Sequence, residues 1–221
     1  MSDPRDAIEP HDADTAQAQL DWVLAHCSDK RVLDAGCGHG RIAIPLAEAG
    51  AQVVAVDTDA ASLDVITRAA PDVTVMLGDM TSCAVEPASV DVVLCLGNTF
   101  ALVHDVDTAV ATMQHWATCL RPGGTIVLDD LAGDLWPELT GGNWCSGVDE
   151  DGRQLVWADD DSVFALRDAI GVPSLVDSDT AMRLWTAGAL RLLARASGLS
   201  GPIVDRAGAV CIFSDPKNTG E

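Results

Sequence analysis

Tyrosine is absent from this 221-residue chain, phenylalanine occurs three times, and aromatic residues make up only 4%. A core must therefore be built from Val, Leu, Ile and Ala, which the 48% hydrophobic content supplies. Length and content suit one α/β domain with a full core and do not require two. Positive charge is scarce: Lys+Arg 13 stand against Asp+Glu 34, a formal net charge of -21. Such a surface repels phosphate backbones and anionic headgroups, which argues against nucleic acid and membrane as partners unless a basic patch exists. None is visible. The densest cations, Arg183, Arg191 and Arg195, are spaced as on a structural helix. The acidity favours a neutral or cationic substrate only weakly, and its plainer meaning is solubility. The chain has no run of about 18 apolar residues, so no membrane span is expected. Its start, MSDPRDAIEPHDAD, lacks the apolar stretch of a signal peptide. No C-x-x-C pair and no Cys/His metal-ligand spacing occurs, so no metal site is expected. The seven cysteines are odd in number, and several sit in apolar runs such as VVLCL and VCIF. Buried free thiols in a reducing compartment follow, and with them a cytoplasmic location.

What is present is a rhythm. Residues 1–14 resemble a flexible tail. Ala16, Leu20, Val23, Leu24 and Cys27 then follow helical spacing. Strands are predicted at 31–35, 52–56, 73–77, 90–96 and 125–128, with helices between them. Pro45 falls inside the second helix and conflicts with it. Arg121-Pro122-Gly123-Gly124 reads as a turn. Apolar strand runs without period-2 alternation mean strands buried on both faces, so the sheet is parallel with helices on each side. After Asp130 the rhythm breaks. Residues 131–182 read as an insertion, with one or two antiparallel strands, placed to cover a substrate site. Thr186 is positioned to cap a helix to about Ser197, and two closing strands follow at 202–205 and 209–213, an antiparallel edge.

The stretch VLDAGCGHGR, Val32 to Arg41, joins the first strand to the first crossover helix, where open α/β sheets bind ligands. Its glycines let backbone approach a ligand closely. A dinucleotide fingerprint, G-x-G-x-x-G, fits Gly36 and Gly38, but its third position falls on Arg41. A phosphate loop of the Walker type needs a lysine, and none lies between Lys30 and Lys217. Asp34, two residues before Gly36, would repel a pyrophosphate and attract a cation. Asp57 ends the second strand and Asp79 follows the third, in LGDM. Each has a plainer reading alone: a tight strand–helix turn for the loop, a helix N-cap for Asp57, a turn residue for Asp79.

Together these residues resemble the class I S-adenosylmethionine-dependent methyltransferases, well over residues 30–130 and loosely over the last 35 or so. The resemblance implies a Rossmann-like α/β fold: a seven-stranded, mostly parallel sheet with helices on both faces and an antiparallel last strand, in a single domain over 1–221. It implies S-adenosylmethionine as cofactor, with Asp34, Gly36, Gly38 and Gly40 under its methionine part. Asp57, with Thr58, falls at the ribose hydroxyls, Asp79 at the adenine amino group, and Met80 against the ring. The fourth strand ends in Leu96-Gly97-Asn98-Thr99-Phe100, similar to the LGNS-F segment of glycine and sarcosine N-methyltransferases, and places Leu96 and Gly97 at the cofactor. LRPGG before a strand is also common in the family.

The acceptor is less legible. The fourth strand lacks the D/N-P-P-Y/F signature of nucleic-acid amino-methylating members, so a small molecule with a nitrogen or oxygen nucleophile is expected, methylated by in-line displacement. His104 and Asn98 are the weak catalytic candidates, His104 as a base. Asp129 and Asp130 reach the site edge by topology, and His39 is expected to face solvent or the cofactor carboxylate. Trp136, Trp144 and Trp157, with Asp159, Asp160 and Asp161, could cage a cationic amine, although ordinary packing and a hairpin turn explain them more simply. Two other classes stay open: an NAD(P)-dependent oxidoreductase, against which Arg41 stands, and a non-catalytic S-adenosylmethionine-binding protein. Oligomeric state is not legible.

Overall fold

A computed structural model describes residues 13–129, 148, 152–158, 162–172 and 174–216. Five strands alternate with helices in its first half. They are β1 (Arg31–Ala35), β2 (Gln52–Asp57), β3 (Thr74–Leu77), β4 (Val90–Cys95) and β5 (Leu120–Asp129). All pair in parallel, β1 with β2 and β4, β2 with β3, and β4 with β5. Two later strands, β9 (Ser200–Asp205) and β10 (Val210–Ser214), complete a seven-stranded sheet of order β3-β2-β1-β4-β5-β10-β9. β10 is antiparallel to both neighbours. The reversed last strand therefore lies inside the sheet, and β9 forms the edge. Strand order reverses between β1 and β4, the place where a crevice opens in such sheets.

Helices cover both faces. On one side α1 (Ala13–Cys27), α2 (Ala43–Glu48) and α3 (Ala60–Ala69) bury Val23, Leu46 and Ile66 against Val32, Val53 and Val92. On the other, α4 (Val106–Cys119) and α5 (Ala187–Ala196) bury Met113, Trp116 and Leu190 against Leu33, Ile126 and Phe213. Leu33 and Val32 thus face opposite layers. This is why β1 is an unbroken apolar run that shows no alternation.

Local details correct several expectations. α2 begins at Ala43, so Pro45 lies in its first turn, where a missing N–H costs little. Asp59 caps α3 by accepting from Ala61 and Ser62 N–H, which frees Asp57 from that role. The Arg121–Gly124 turn is contained within β5: Val90 pairs with Leu120 and Val92 with Thr125, so the intervening residues loop out as an irregularity. Arg183 is not helical. It ends the short strand β8 (Met182–Arg183), with its guanidinium 5.4 Å from the Trp185 ring centroid. Thr186 does cap α5, accepting from Ala189 N–H.

The second half holds a separate three-stranded antiparallel sheet, β6 (Arg153–Trp157), β7 (Val163–Asp168) and β8, where one or two strands are expected. Phe164 and Met182 pack with Ala101 of the 3-10 turn Thr99–Leu102 that follows β4. Arg167 pairs with Asp179 and donates to the carbonyls of Val172 and Ser174, which fastens the segment after β7. Trp116 is fully buried, packs beside Phe100 and donates from Nε1 to Met80 O at 2.9 Å. Trp116→Ala is expected to lower the unfolding free energy by about 3–5 kcal/mol, measured by urea denaturation, because a large void remains and the Met80 carbonyl loses its indole donor.

Candidate functional site

The carboxyl ends of β1 to β4 open on one cleft of about 540 Å³. Gly36 and Gly38 of the loop after β1 form one wall. Gly36 has φ +79°, and a Cβ there would lie 2.4 Å from Thr99 Cγ2, so backbone and packing both require glycine at this point of the lining. The β2 end contributes Asp57 and Thr58, and the loop after β3 contributes Asp79 and Met80. Leu96 and Gly97 follow β4, and His104 and Thr108 stand further round the lining.

Asp57 ties two of these walls together. Its Oδ2 accepts from Gly38 N–H at 2.8 Å and its Oδ1 from Asp59 N–H at 2.9 Å. A carboxylate has about four acceptor sites, so capacity for a ligand remains. Asp79 Oδ1 accepts from the N–H and hydroxyl of Thr81, both at 2.8 Å, which fixes the carboxylate and leaves Oδ2 to accept.

Behind the cleft lies a buried polar network. Asp129, at the end of β5, accepts from Asn98 N–H at 2.7 Å, Gly97 N–H at 3.1 Å and Gln19 Nε2 at 2.6 Å. Gln19, 1% exposed on α1, accepts in turn from Arg41 Nη2 at 3.0 Å. Arg41 also donates to Ala16 O at 3.3 Å and lines the cleft. Burial pushes the Asp129 carboxyl up to about 6, against the opposing effects of Gln19 and the Asn98 amide. Burial likewise pushes Asp34 up to about 7; Arg41 opposes this and Asp57 adds to it. Among the described residues, Asp34 Oδ2 is buried and has no hydrogen-bond partner.

Eight of the ten residues expected at the cofactor line this one cleft: Gly36, Gly38, Asp57, Thr58, Asp79, Met80, Leu96 and Gly97. Asp34 lies buried behind the loop. Gly40 is also off the lining. With φ +88°, it is required because a Cβ would lie 2.8 Å from Ile44 and Ile66, so its place is in packing. His104 lines the cleft, with Nδ1 3.3 Å from Leu102 O. Asn98 does not. It is 4% exposed, in left-handed backbone with φ 60°, and borders a small separate cavity with Trp185 and Asp129. His39 is exposed on the cleft lining. Trp157 packs against Phe164 in a tilted arrangement, 5.0 Å between ring centroids and 41° between planes, which supports its packing role. Trp136, Trp144, Asp130 and Asp159 to Asp161 lie outside the described residues. The six cysteines described are all free and buried. Among the described residues no group of three or more His, Cys, Asp or Glu is placed to hold a metal ion, and no helix is long and apolar enough to cross a membrane.

Sequence reasoning missed Gln19 and the partners of Arg41. A signal existed: Gln19, Val23 and Cys27 recur every fourth residue on one buried face, and a glutamine there needs a polar partner.

Residues 32–124 match the family described as methyltransferase domain. A cypemycin N-terminal methyltransferase from Streptomyces sp. is 37% identical over 142 residues, 58% of each chain. A ubiquinone biosynthesis O-methyltransferase from Azoarcus sp. is 30% identical over 120 residues, 51% of this chain and 50% of that one. The chain thus spans between half and three-fifths of these relatives. In structure it is similar to an S-adenosylmethionine-bound amino pentose methyltransferase from Micromonospora echinaspora, with TM-score 0.61, 19% identity and coverage of 93% and 92%.

The raised carboxyls have a consequence for stability. Asp34 starts from an ordinary value of 3.8 and binds its proton more tightly folded than unfolded. Between there and about 7 the folded state holds more protons, so stability falls as pH rises through that window. Denaturant unfolding from about pH 4 to pH 7.5 should show this decline, and Asp34→Asn should flatten it.

Proposed function

We propose that the chain, whose residues 32–124 match the methyltransferase-domain family, transfers a methyl group from S-adenosylmethionine to a nitrogen or oxygen nucleophile on a small molecule. The observation that carries this is the convergence of Asp57, Asp79 and the Gly36–Gly38 backbone on one cleft. The cleft fits the cofactor in chemistry as well as size. Its volume of about 540 Å³ is within the range of small-molecule sites. The donors of the cofactor, a ribose diol, an adenine amino group and an ammonium, match fixed carboxylates, and its cationic centre matches a site bearing Asp57 and Asp79 with Asp34 behind. A pyrophosphate would meet those same carboxylates, which disfavours a dinucleotide.

In this reading Asp57, with Thr58 beside it, accepts from the ribose hydroxyls. Asp79 accepts from the adenine amino group, and Met80 and Leu96 pack against the ring. The glycine loop admits the methionine part, with Gly97 also on the lining. S-adenosylmethionine supplies a methyl group activated by its sulfonium. The chain's part is to hold the acceptor in line with that methyl and to take up its proton. His104 is placed to take up the proton, because with Nδ1–H turned to Leu102 O, Nε2 is the acceptor. Asn98 contributes through the shape of its loop. The three-stranded sheet, seated on Ala101 beside the Leu102 that lines the cleft, belongs to the acceptor's cover, the role expected of the 131–182 insertion. The net charge of -21 favours an amine over an anionic acceptor. The similarity to an N-terminal methyltransferase supports the same reading. Buried free thiols support a cytoplasmic location.

The test is transfer of a labelled methyl group from S-adenosylmethionine to a panel of amines, phenols and carboxylates. Label on an amine or phenol is expected. Binding with no transfer to any member would make the chain a non-catalytic binder. Asp57→Ala is expected to weaken binding of S-adenosylhomocysteine by about 1–3 kcal/mol, measured by calorimetry. Unchanged affinity would remove Asp57 from the ribose site.

A further inference from the structure

Gln19 is a buried polar side chain that the cleft itself does not use. It is the one buried polar side chain of α1, and both ends of its carboxamide are used. Its Nε2 meets Asp129, whose two oxygens hold the Gly97 and Asn98 N–H groups. Its Oε1 meets Arg41, whose guanidinium lies near Gly97: a Cβ on that glycine would sit 3.7 Å from Arg41 Nη2. The hydrogen bonds of the Arg41 guanidinium, to Gln19 and Ala16, both lead to α1. Without α1, that cation would have neither partner and Asp129 would lack one of its three donors. Asn98 is held at φ 60°, a conformation that costs a non-glycine residue free energy and persists only when surroundings fix it.

We infer that Gln19 is a positioning residue for the cofactor cleft: by bridging Arg41 and Asp129, it holds the guanidinium beside Gly97 on the lining and, through Asp129, the Gly97–Asn98 backbone that follows β4. It touches no ligand and acts through these two residues. A helix that precedes the whole sheet in sequence is thereby coupled to the site. Coupling of this kind is reciprocal, so a ligand in the cleft also steadies α1. The inference rests on the proposed cofactor reading for its ligand, but its structural core does not.

Two variants test it. Gln19→Leu keeps the volume and removes both bonds. Gln19→Glu keeps the acceptor for Arg41 and sets a second carboxylate beside Asp129. The charged or ionisable groups around that pair are Arg41, the thiol of Cys95 and, through Arg41, Asp34. Two carboxylates this close share a proton at low pH, and the substituted carboxyl then donates as the amide did. By calorimetry, Gln19→Leu should lose about tenfold or more in affinity for S-adenosylhomocysteine at every pH. Gln19→Glu should lose as much at about pH 8 and recover most of it near pH 5.5. A role in docking α1 alone would lower the melting temperature of both variants and leave affinity unchanged, which overturns the inference. Amide exchange at Gly97 and Asn98 in ligand-free protein gives the second reading. Faster exchange in Gln19→Leu is expected, and unchanged exchange overturns the inference. If the unmodified chain binds no S-adenosylhomocysteine, the cofactor reading fails by itself, and the exchange data still decide what Gln19 does.

Discussion

The bond from Gly38 N–H to Asp57 Oδ2, at 2.8 Å, is the contact on which the cleft's shape depends. It joins the loop after β1 to the end of β2, so the glycines and the acid form one wall instead of two mobile loops. Parallel pairing of β1 with β2 makes it possible, because Ala35 opposite Val56 brings both strand ends level. Gly36 and Cys37 N–H both donate to Val56 O and complete the turn. The glycine loop is thus a fixed surface, and the missing Cβ at Gly36 lets it pack close against Thr99. Preorganised backbone of this sort lowers the ordering cost of binding.

Charge has a parallel logic. Asp34 and Asp129 are buried carboxyls raised towards neutral pH by burial, each close to the single guanidinium of Arg41. Asp57 and Asp79 stand instead on the lining, held by backbone and hydroxyl donors. One pair therefore braces the site from behind, at some cost in stability near neutral pH, while the other is offered to a ligand. The sheet's carboxyl edge separates these roles by depth.

Much of this is legible in the sequence, for identifiable reasons. Apolar runs without alternation point to the parallel sheet, since a strand buried on both faces admits few polar residues. The acids at successive strand ends mark the crevice, because topology alone brings such positions together. Long-range polar pairing is not legible. Gln19 and Asp129 are 110 positions apart, and nothing local to either announces the other. Asn98 reads as a cleft residue from the LGNTF segment after the fourth strand, which does not reveal that it is buried in left-handed backbone and borders a small separate cavity with Trp185. Gly40 groups with its neighbours by pattern, although its missing Cβ makes room for Ile44 and Ile66. Arg41 registers in the sequence only as a broken dinucleotide fingerprint, yet it links α1 to the site.

The central claim is that the cleft takes a sulfonium nucleoside and not a dinucleotide. Calorimetric titration with S-adenosylhomocysteine, with NADH as control, tests it most directly. The account predicts micromolar binding of S-adenosylhomocysteine alone. Absence of that binding, or preference for NADH, would contradict it.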